Sequence, residues 1–356
     1  MKIAFSHSKW FNLDWLINNE SRPVKLVDAK EFLLKNVNTV LGPLETSKIR
    51  FALMHEHILG ATGGIPQIYP ELLGKNYKER IVEGLVTAKE AGINTIVDAD
   101  TFDLGRTVKI LAEVSLQSGV NIICCSGWYL ELPVYLGTFT ADQFAHIFAR
   151  EVQQGIEGTN IKAGILKSAA DFGGVTPNGE LLLRGVARAQ LETGVPIMLH
   201  SYAPDQVGRQ QIEILKQEGV NLQRVKVDHL SDTTDLEYIS WVAEQGCYLG
   251  MDRLPGIHVP PLVRVSPESR VNTIKALIDA GFEDRILLSH DTFLVSSFFD
   301  TLPDDVKNKL HADNPYGFLY INKFVLPKLK ELGVSDKTIN KMCIDNPRNY
   351  LEGNPD

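Results

Sequence analysis

Phe51-Ala52-Leu53-Met54-His55-Glu56-His57 is the stretch that decides the fold of this chain. Its apolar half predicts a buried β-strand over residues 50–54, and two histidines follow at once. Side chains at positions i and i+2 leave a strand on the same face, so both imidazoles can converge just past the strand's end. Neutral imidazole is a common ligand of Zn and related ions. The pair is therefore a candidate start of a metal site.

The rest of the chain repeats one unit, in which a short β-rich run is followed by a loop and an amphipathic helix. The runs that predict strands are residues 50–54, 94–98, 121–126, 163–168, 196–200, 224–229, 248–252 and 285–289. The patterns that predict helices include residues 78–91, 107–118, 179–193, 207–218, 235–245 and 267–280. Several of these helices end before a glycine, as at Gly119 and Gly194, which suits the left-handed position after a helix.

The number and alternation of these strands favour one architecture. Strands that alternate with helices indicate a parallel sheet, and eight of them can close into a barrel. We therefore predict an α/β fold, a (β/α)8 TIM barrel over residues 38–356 with an N-terminal appendage over residues 1–37. A doubly wound open sheet is the second possibility, but no G-x-G-x-x-G nucleotide loop follows a strand here. The appendage carries Trp10, Phe11 and Trp15, and it either packs on the barrel or a second subunit or is a partly ordered tail.

Composition narrows the classes of partner. The chain has 356 residues, 44% of them hydrophobic, and 36 basic against 44 acidic residues give a net charge of −8. An acidic chain without a basic run is a poor candidate for binding nucleic acid. No stretch approaches the ~18 apolar residues of a membrane span, and residues 1–10 lack the sustained apolar run from which a secretory signal would be predicted. Four cysteines do not make a disulfide scaffold, so a cytoplasmic location is the default expectation.

Polar side chains collect where the predicted strands end. Five of the nine histidines stand there, and so do a lysine, an arginine and two aspartates: His55, His57, His200, His229, His290, Lys167, Arg253, Asp252 and Asp291. Catalytic groups of TIM barrels lie at these ends. The set is either a series of separate polar caps or a two-metal site. A buried lysine loses its proton more readily than an exposed one, and a neutral amine reacts with carbon dioxide to give an anionic carbamate ligand.

Seven strings of this sequence together resemble one family. They are Leu53-Met54-His55-Glu56-His57, Thr95-Ile96-Val97-Asp98 with Thr101-Phe102-Asp103-Leu104-Gly105-Arg106, Lys162-Ala163-Gly164-Ile165-Leu166-Lys167, Gly194-Val195-Pro196 with His200, Asp228-His229, Gly250-Met251-Asp252-Arg253 and Ser289-His290-Asp291. In this order they resemble the phosphotriesterase family of the amidohydrolase superfamily, from about residue 38 to Leu351.

The resemblance implies a centre of two divalent metal ions and a homodimer. His55, His57 and Asp291 would hold one ion, and His200 and His229 the other. Lys167, carbamylated to N6-carboxylysine, and a hydroxide would bridge ions that lie ~3.5–4 Å apart. Zn is the first candidate, and Co, Mn or Fe would suit the same ligands.

Two positions bear on the branch of the family. Arg253 follows Asp252 as it does in the phosphotriesterase-like lactonases, whereas dedicated organophosphate hydrolases resemble one another in having histidine there. Tyr129 stands where those lactonases have tyrosine, but a slip of one residue would instead align Trp128 with the tryptophan of the organophosphate hydrolases. Arg253 could also form a structural ion pair, and Tyr129 could be a wall residue.

We therefore predict a hydrolase that opens hydrophobic lactone rings, such as acyl-homoserine lactones, and cleaves organophosphate triesters as a side activity. Asp291, Tyr129 and Arg253 would act in catalysis on this small-molecule substrate. The alternatives are a dedicated organophosphate triesterase, an N-acyl amino acid amidohydrolase and a metal-free binding protein on a degenerate barrel. The substrate's acyl chain would lie against apolar side chains that could equally pack in the core: Ile257, Val259, Pro260, Phe293, Leu294, Val295, Phe298 and Phe299.

Overall fold

A parallel sheet of nine strands runs through the part of the chain that the computed structural model describes, namely residues 35–130, 132–256, 265–297 and 302–352. With a separate two-stranded hairpin, its strands in chain order are β1 (Asn36–Thr39), β2 (Gly42–Glu45), β3 (Phe51–Gly60), β4 (Ile93–Asp98), β5 (Asn121–Gly127), β6 (Ile165–Ala169), β7 (Ile197–His200), β8 (Val225–Val227), β9 (Tyr248–Met251), β10 (Ile286–Leu288) and β11 (Phe293–Ser296). The eight predicted strands correspond to β3–β10, and seven of them agree within two residues at each end.

The sheet closes between its first and last strands, as a barrel requires. Each strand from β3 to β9 pairs in parallel with the next strand in the chain, and β11 pairs in parallel with β3. The last predicted strand, residues 285–289, corresponds to β10, which pairs with β9, and the sequence did not predict β11, which follows it and pairs with β3. In the gap, Asp291 N donates to His55 O at 3.1 Å and His57 N donates to Thr292 O at 3.0 Å. The predicted (β/α)8 architecture is confirmed.

Helices cover the outside of the sheet. They are α1 (Ile65–Ile68), α2 (Tyr77–Glu90), α3 (Val108–Ser118), α4 (Ala141–Gln153), α5 (Pro177–Thr193), α6 (Gly208–Glu218), α7 (Leu236–Glu244), α8 (Pro267–Asp279), α9 (Asp304–Asp313), α10 (Leu326–Glu331), α11 (Asp336–Asn340) and α12 (Asn346–Glu352). The six predicted helices agree within two residues. Helix α5 illustrates the local causes: the Thr176 side chain accepts a hydrogen bond from Gly179 N, and Gly194 ends the helix at φ 75°.

The amino-terminal hairpin packs against the barrel. Val37 joins the interior core, Asn38 Nδ2 donates to Ala163 O at 3.0 Å, and Val40 N donates to Ile122 O at 2.9 Å. The predicted boundary between residues 37 and 38 therefore falls inside β1, and residues 1–34 of the predicted appendage lie outside the described residues. Among the helices described, none has both the length and the apolar character needed to cross a membrane.

Candidate metal centre

An irregularity in the pairing of β3 aims the histidine pair. Met54 packs in the barrel interior and Leu53 packs on the opposite, helix-covered face. Strict alternation would send His55 and His57 to the same face as Leu53. The register with β4 shifts between Leu53 and Glu56, and a β-bulge re-aims the side chains that follow it. The predicted position of the pair past the strand's end is wrong, because β3 continues beyond both histidines.

His55, His57 and Asp291 meet at one point. Asp291 Oδ1 lies 3.0 Å from His57 Nε2 and 3.4 Å from His55 Nε2. All three side chains are buried, and their candidate ligand atoms lie within 4.8 Å of one another. Two of them come from β3 and the third from the gap between β10 and β11. Closure of the barrel therefore assembles this group.

The second ring nitrogens of these two histidines face further carboxylates. Asp100 Oδ1 lies 2.6 Å from His57 Nδ1, and Asp228 Oδ2 lies 3.0 Å from His55 Nδ1. Even so, His55 Nδ1 and both Asp228 oxygens have no aligned hydrogen bond among the described residues. Histidines that bind metal almost always direct the other nitrogen at a carboxylate or carbonyl. The other nitrogens, His55 Nε2 and His57 Nε2, are therefore free to bind a divalent cation together with Asp291.

His200 and His229 form a second group next to the first. His229 Nε2 lies 2.7 Å from His200 Nδ1, and the His229 and His55 ring centroids are 5.0 Å apart. Asp252 orients His229, because its Oδ1 lies 2.7 Å from His229 Nδ1 and 3.1 Å from the His229 backbone nitrogen. On the other side, His200 Nε2 lies 3.4 Å from Asp171 Oδ2. Two imidazoles thus converge beside the first group.

Burial and neighbouring acids set the protonation of these histidines. Burial lowers the pKa of His55 to about 3, although Asp228 and Asp291 oppose it. Burial also lowers the pKa values of His200 and His229. These three rings are neutral near pH 7, which is the form that binds metal. Burial acts on His57 too, but Asp100 and Asp291 together outweigh it and raise its pKa to about 9, so a metal ion bound at His57 Nε2 would displace a proton.

Two acids of the site stay ionised despite their burial. Burial raises the pKa of Asp291, but electrostatic coupling to His55 and His229, the hydrogen bond from His57 and the positive charge of Arg253 together hold it well below its usual range. Burial likewise raises the pKa of Asp228, while Lys226 and His55 oppose it and bring the value to about 2. Asp291 is therefore held as the carboxylate that a cation binds.

Lys167 lies between the two groups. It is buried on β6, and its Nζ donates to Ala99 O at 2.8 Å. Its positive charge lowers the pKa values of His55 and His57 on one side and of His200 on the other. A single group at this place can influence both halves of the centre.

Tyr129 faces the centre and Trp128 does not. The Tyr129 ring lies 5.0 Å from the His200 ring, centroid to centroid, and 5.5 Å from Lys167 Nζ. Trp128 is buried in the outer core, 5.5 Å from the exposed ring of Phe102. Burial raises the pKa of Tyr129, so its hydroxyl keeps its proton near pH 7 and can donate it in a hydrogen bond.

Arg253 joins Asp291 to another buried acid. Its Nε donates to Asp291 Oδ2 at 2.9 Å and its Nη1 to Asp232 Oδ2 at 2.6 Å. The ion pair considered as an alternative for Arg253 is therefore present, and one of its partners belongs to the site. His229, Arg253 and Asp291 all have positive φ, at 64°, 53° and 51°. Such conformations cost about 1–3 kcal/mol each and cluster at functional sites.

His290 is not available to a metal, although it stands at a predicted strand end. Its Nδ1 lies 2.7 Å from Glu56 Oε1, and its Nε2 accepts a hydrogen bond from Ile321 N at 3.1 Å. Both ring nitrogens are therefore occupied. His290 belongs to the contacts that close the barrel.

Those apolar residues after the eighth predicted strand that the structure describes, Phe293, Leu294 and Val295, do not form one pocket wall. Leu294 and Val295 pack with the core, and Phe293 stacks on His57 with ring centroids 4.6 Å apart. For these two aliphatic side chains core packing is the correct alternative. The other proposed wall residues lie outside the described residues: Ile257, Val259, Pro260, Phe298 and Phe299.

Sequence reasoning missed the acids that orient the ligands. Asp228 was not assigned a role, although it stands beside His229 at a strand end, and neither was Asp100, which follows β4, a strand without a candidate ligand. The missed signal is a second polar residue adjacent to a candidate ligand, where a buried strand would otherwise be apolar. Lys226, buried in β8, gives the same signal.

Comparison with known proteins identifies relatives over nearly the whole described chain. A family profile described as "Phosphotriesterase family" matches residues 35–351. The "Phosphotriesterase homology protein" of Mycobacterium tuberculosis is 36% identical over 331 residues, covering 90% of this chain and 98% of the relative. The "Aryldialkylphosphatase" of Saccharolobus solfataricus is 32% identical over 311 residues, covering 86% and 96%. The "N-acetyltaurine hydrolase" of Xenopus tropicalis is 26% identical over 351 residues, covering 88% and 97%.

A solved structure agrees with these relatives. The phosphotriesterase from Mycobacterium tuberculosis superimposes with a TM-score of 0.82 at 35% sequence identity. The match covers 89% of this chain and 98% of that structure. The similarity therefore extends over most of the barrel.

Proposed function

The chain belongs to the phosphotriesterase family, whose members are hydrolases. From this premise we propose that it opens hydrophobic lactone rings with the help of two divalent metal ions. Triester cleavage is proposed as a slower side activity. The observation that carries the choice of lactones is the position of Tyr129, whose ring lies 5.0 Å from that of His200 while Trp128 packs in the core.

The two groups of ligands supply the places for the ions. His55, His57 and Asp291 would hold one ion, and His200 and His229 the other. Lys167 would bridge them as N6-carboxylysine, formed when its neutral amine adds to carbon dioxide and releases a proton. Zn is the first candidate, with Co, Mn and Fe as alternatives. When bound, such a pair supplies Lewis acidity and a hydroxide nucleophile at neutral pH.

The chain's own residues would divide the remaining work. Tyr129 would donate its hydroxyl proton in a hydrogen bond to the substrate's carbonyl oxygen, where negative charge develops. Asp291 would accept the proton of the attacking nucleophile and pass it to the leaving alkoxide. Arg253, bound to Asp291 Oδ2 at 2.9 Å, would hold that carboxylate in place.

A panel of three substrate classes tests the choice of reaction. We expect aliphatic lactones with long acyl chains to give the highest kcat/KM, organophosphate triesters to be slower, and N-acyl amino acids to be slower still. The amide class is the second candidate, since one relative is named as an N-acetyltaurine hydrolase. All three classes should be assayed on one Zn-loaded preparation, with metal-stripped protein as the control. A preference for amides, or for triesters, would overturn the lactonase assignment.

We also propose that the protein is a homodimer and that it is located in the cytoplasm. The dimer would form through exposed apolar side chains near the mouth of the barrel. The segment after β3 exposes three apolar side chains, Ile68, Tyr69 and Leu72. A hydrogen bond from Gly63 N to Asp103 O links this segment to the neighbouring loop, in which Phe102 is also exposed. Apolar patches of this kind mark interfaces. Sedimentation equilibrium should give about twice the chain mass of 39.6 kDa. Ile68→Asp with Leu72→Asp should give monomers, whereas Leu332→Asp, also at an exposed leucine, should leave the mass unchanged.

A further inference from the structure

A buried ion pair lies directly behind the histidine pair. Lys226 and Asp228 both point from the β8 segment into the barrel, and each is at most 1% exposed. Lys226 Nζ lies 2.7 Å from Asp228 Oδ1 and donates to Met54 O at 2.7 Å. The lysine thus binds both the aspartate and the strand that carries His55.

This ion pair is not explained by stability. Replacing a buried ion pair by apolar side chains is often neutral or stabilising, because two charges lose their hydration on burial. The surrounding interior core is apolar and could accommodate such side chains. The fold also leaves room for the carboxylate, because a Cβ at Gly250 would overlap Asp228.

Asp228 is the acid nearest the far nitrogen of His55. Its Oδ2 lies 3.0 Å from His55 Nδ1, whereas Asp252 Oδ2 lies 3.8 Å from the same nitrogen. The other oxygen of Asp252, Oδ1, contacts His229 Nδ1 instead. Asp100 likewise serves His57 at 2.6 Å. Each of these three histidines therefore has its own carboxylate, and Asp228 is the one assigned to His55.

We propose that Lys226 and Asp228 are a positioning pair for His55: the ammonium fixes the carboxylate 3.0 Å from His55 Nδ1, and an oxygen facing that nitrogen favours the tautomer with the proton on Nδ1, which leaves Nε2 free as a ligand. This inference rests on the proposed metal centre. Lys226 also offsets the negative charge of Asp228 beside Asp252 and Asp291, which a lone carboxylate would repel. The pair sets the tautomer and the ring orientation of His55.

Two double variants isolate the acceptor from the charge. Lys226→Met/Asp228→Asn removes both charges and keeps a side-chain oxygen that can accept the Nδ1 proton. Lys226→Met/Asp228→Ala removes both charges and the acceptor. Binding of Zn²⁺ is measured by competition with a chromophoric chelator, and the melting temperature of the metal-free protein is measured alongside. We expect the alanine variant to bind one of its two ions about 10- to 100-fold more weakly. The asparagine variant keeps an acceptor but loses the ammonium that fixes it, so its affinity should lie between those of the alanine variant and the wild type.

A stability control completes the test. Tyr350→Phe loses the hydrogen bond from Tyr350 Oη to Ile197 O, 2.6 Å long, without touching a candidate ligand. If both double variants bind Zn²⁺ like the wild type, or if Tyr350→Phe weakens binding as much as the alanine variant at a matched melting temperature, the positioning role is overturned. A wild-type protein that binds no Zn²⁺ overturns the metal centre itself, which separates the two failures.

Discussion

Lys167→Ala should lose both hydrolysis and metal. The side chain is buried between the two histidine groups, so its loss removes the proposed bridge from both ions at once. Lewis acidity from such ions is worth several kcal/mol of transition-state stabilisation, so kcat/KM should fall by roughly two orders of magnitude or more. Metal analysis should show fewer than two ions per chain. Activity on the preferred lactone and metal content should be measured on the same sample.

Rescue of Lys167→Ala by a small carboxylate distinguishes loss of the bridging carbamate from a general effect of removing the side chain. A short carboxylate such as acetate fits the vacated space and supplies the oxygen atoms of the carbamate, so it should restore part of the activity. Sodium chloride at the same ionic strength should not. Lys162→Ala, five residues earlier and outside β6, should behave like the wild type. Full activity with two bound ions in Lys167→Ala would remove the lysine from the centre.

The sequence predicted the barrel because its signals are local. Six helices agree within two residues, since apolar periodicity and the glycines that follow the helices are read within single segments. The gathering of His200, His229 and Asp291 near one another follows from parallel topology, in which the carboxyl ends of the strands share one rim. The family resemblance supplied the division of these residues between two ions.

The features that the sequence did not predict depend on contacts between distant segments. The direction of His55 depends on a register shift against β4, which no pattern within β3 reveals. The additional strand β11 likewise depends on a distant partner, since it pairs with β3 at the other end of the barrel. In the sequence, Asp228 and Lys226 are polar residues of a predicted strand with no sign of a partner. Only the closed barrel brings Asp228 to His55 and Lys226 to Met54.

Glu56 carries the closure itself, on the face of β3 opposite the histidine pair. Its Oε1 accepts hydrogen bonds from Ser289 Oγ at 2.8 Å, from His290 N at 2.8 Å and from His290 Nδ1 at 2.7 Å. Its Oε2 accepts one from Thr292 N at 3.3 Å. These donors come from the segment that also carries Asp291. One buried carboxyl group therefore binds the first strand of the barrel to the last.

Glu56→Ala should consequently open the barrel locally as well as destabilise it. Each buried donor left without a partner costs about 1–3 kcal/mol, so loss of the acceptor for all four donors should lower the free energy of unfolding by about 4 kcal/mol or more. Hydrogen–deuterium exchange should rise first in residues 286–296, and the urea midpoint should fall. Glu56→Gln keeps an oxygen that can accept three of the four hydrogen bonds. Its free energy of unfolding should therefore fall by about a third of the loss expected for Glu56→Ala, or by less. Equal midpoints and equal exchange in the two variants would mean that other contacts hold the barrel closed, because only the alanine variant lacks an acceptor for Ser289 and His290.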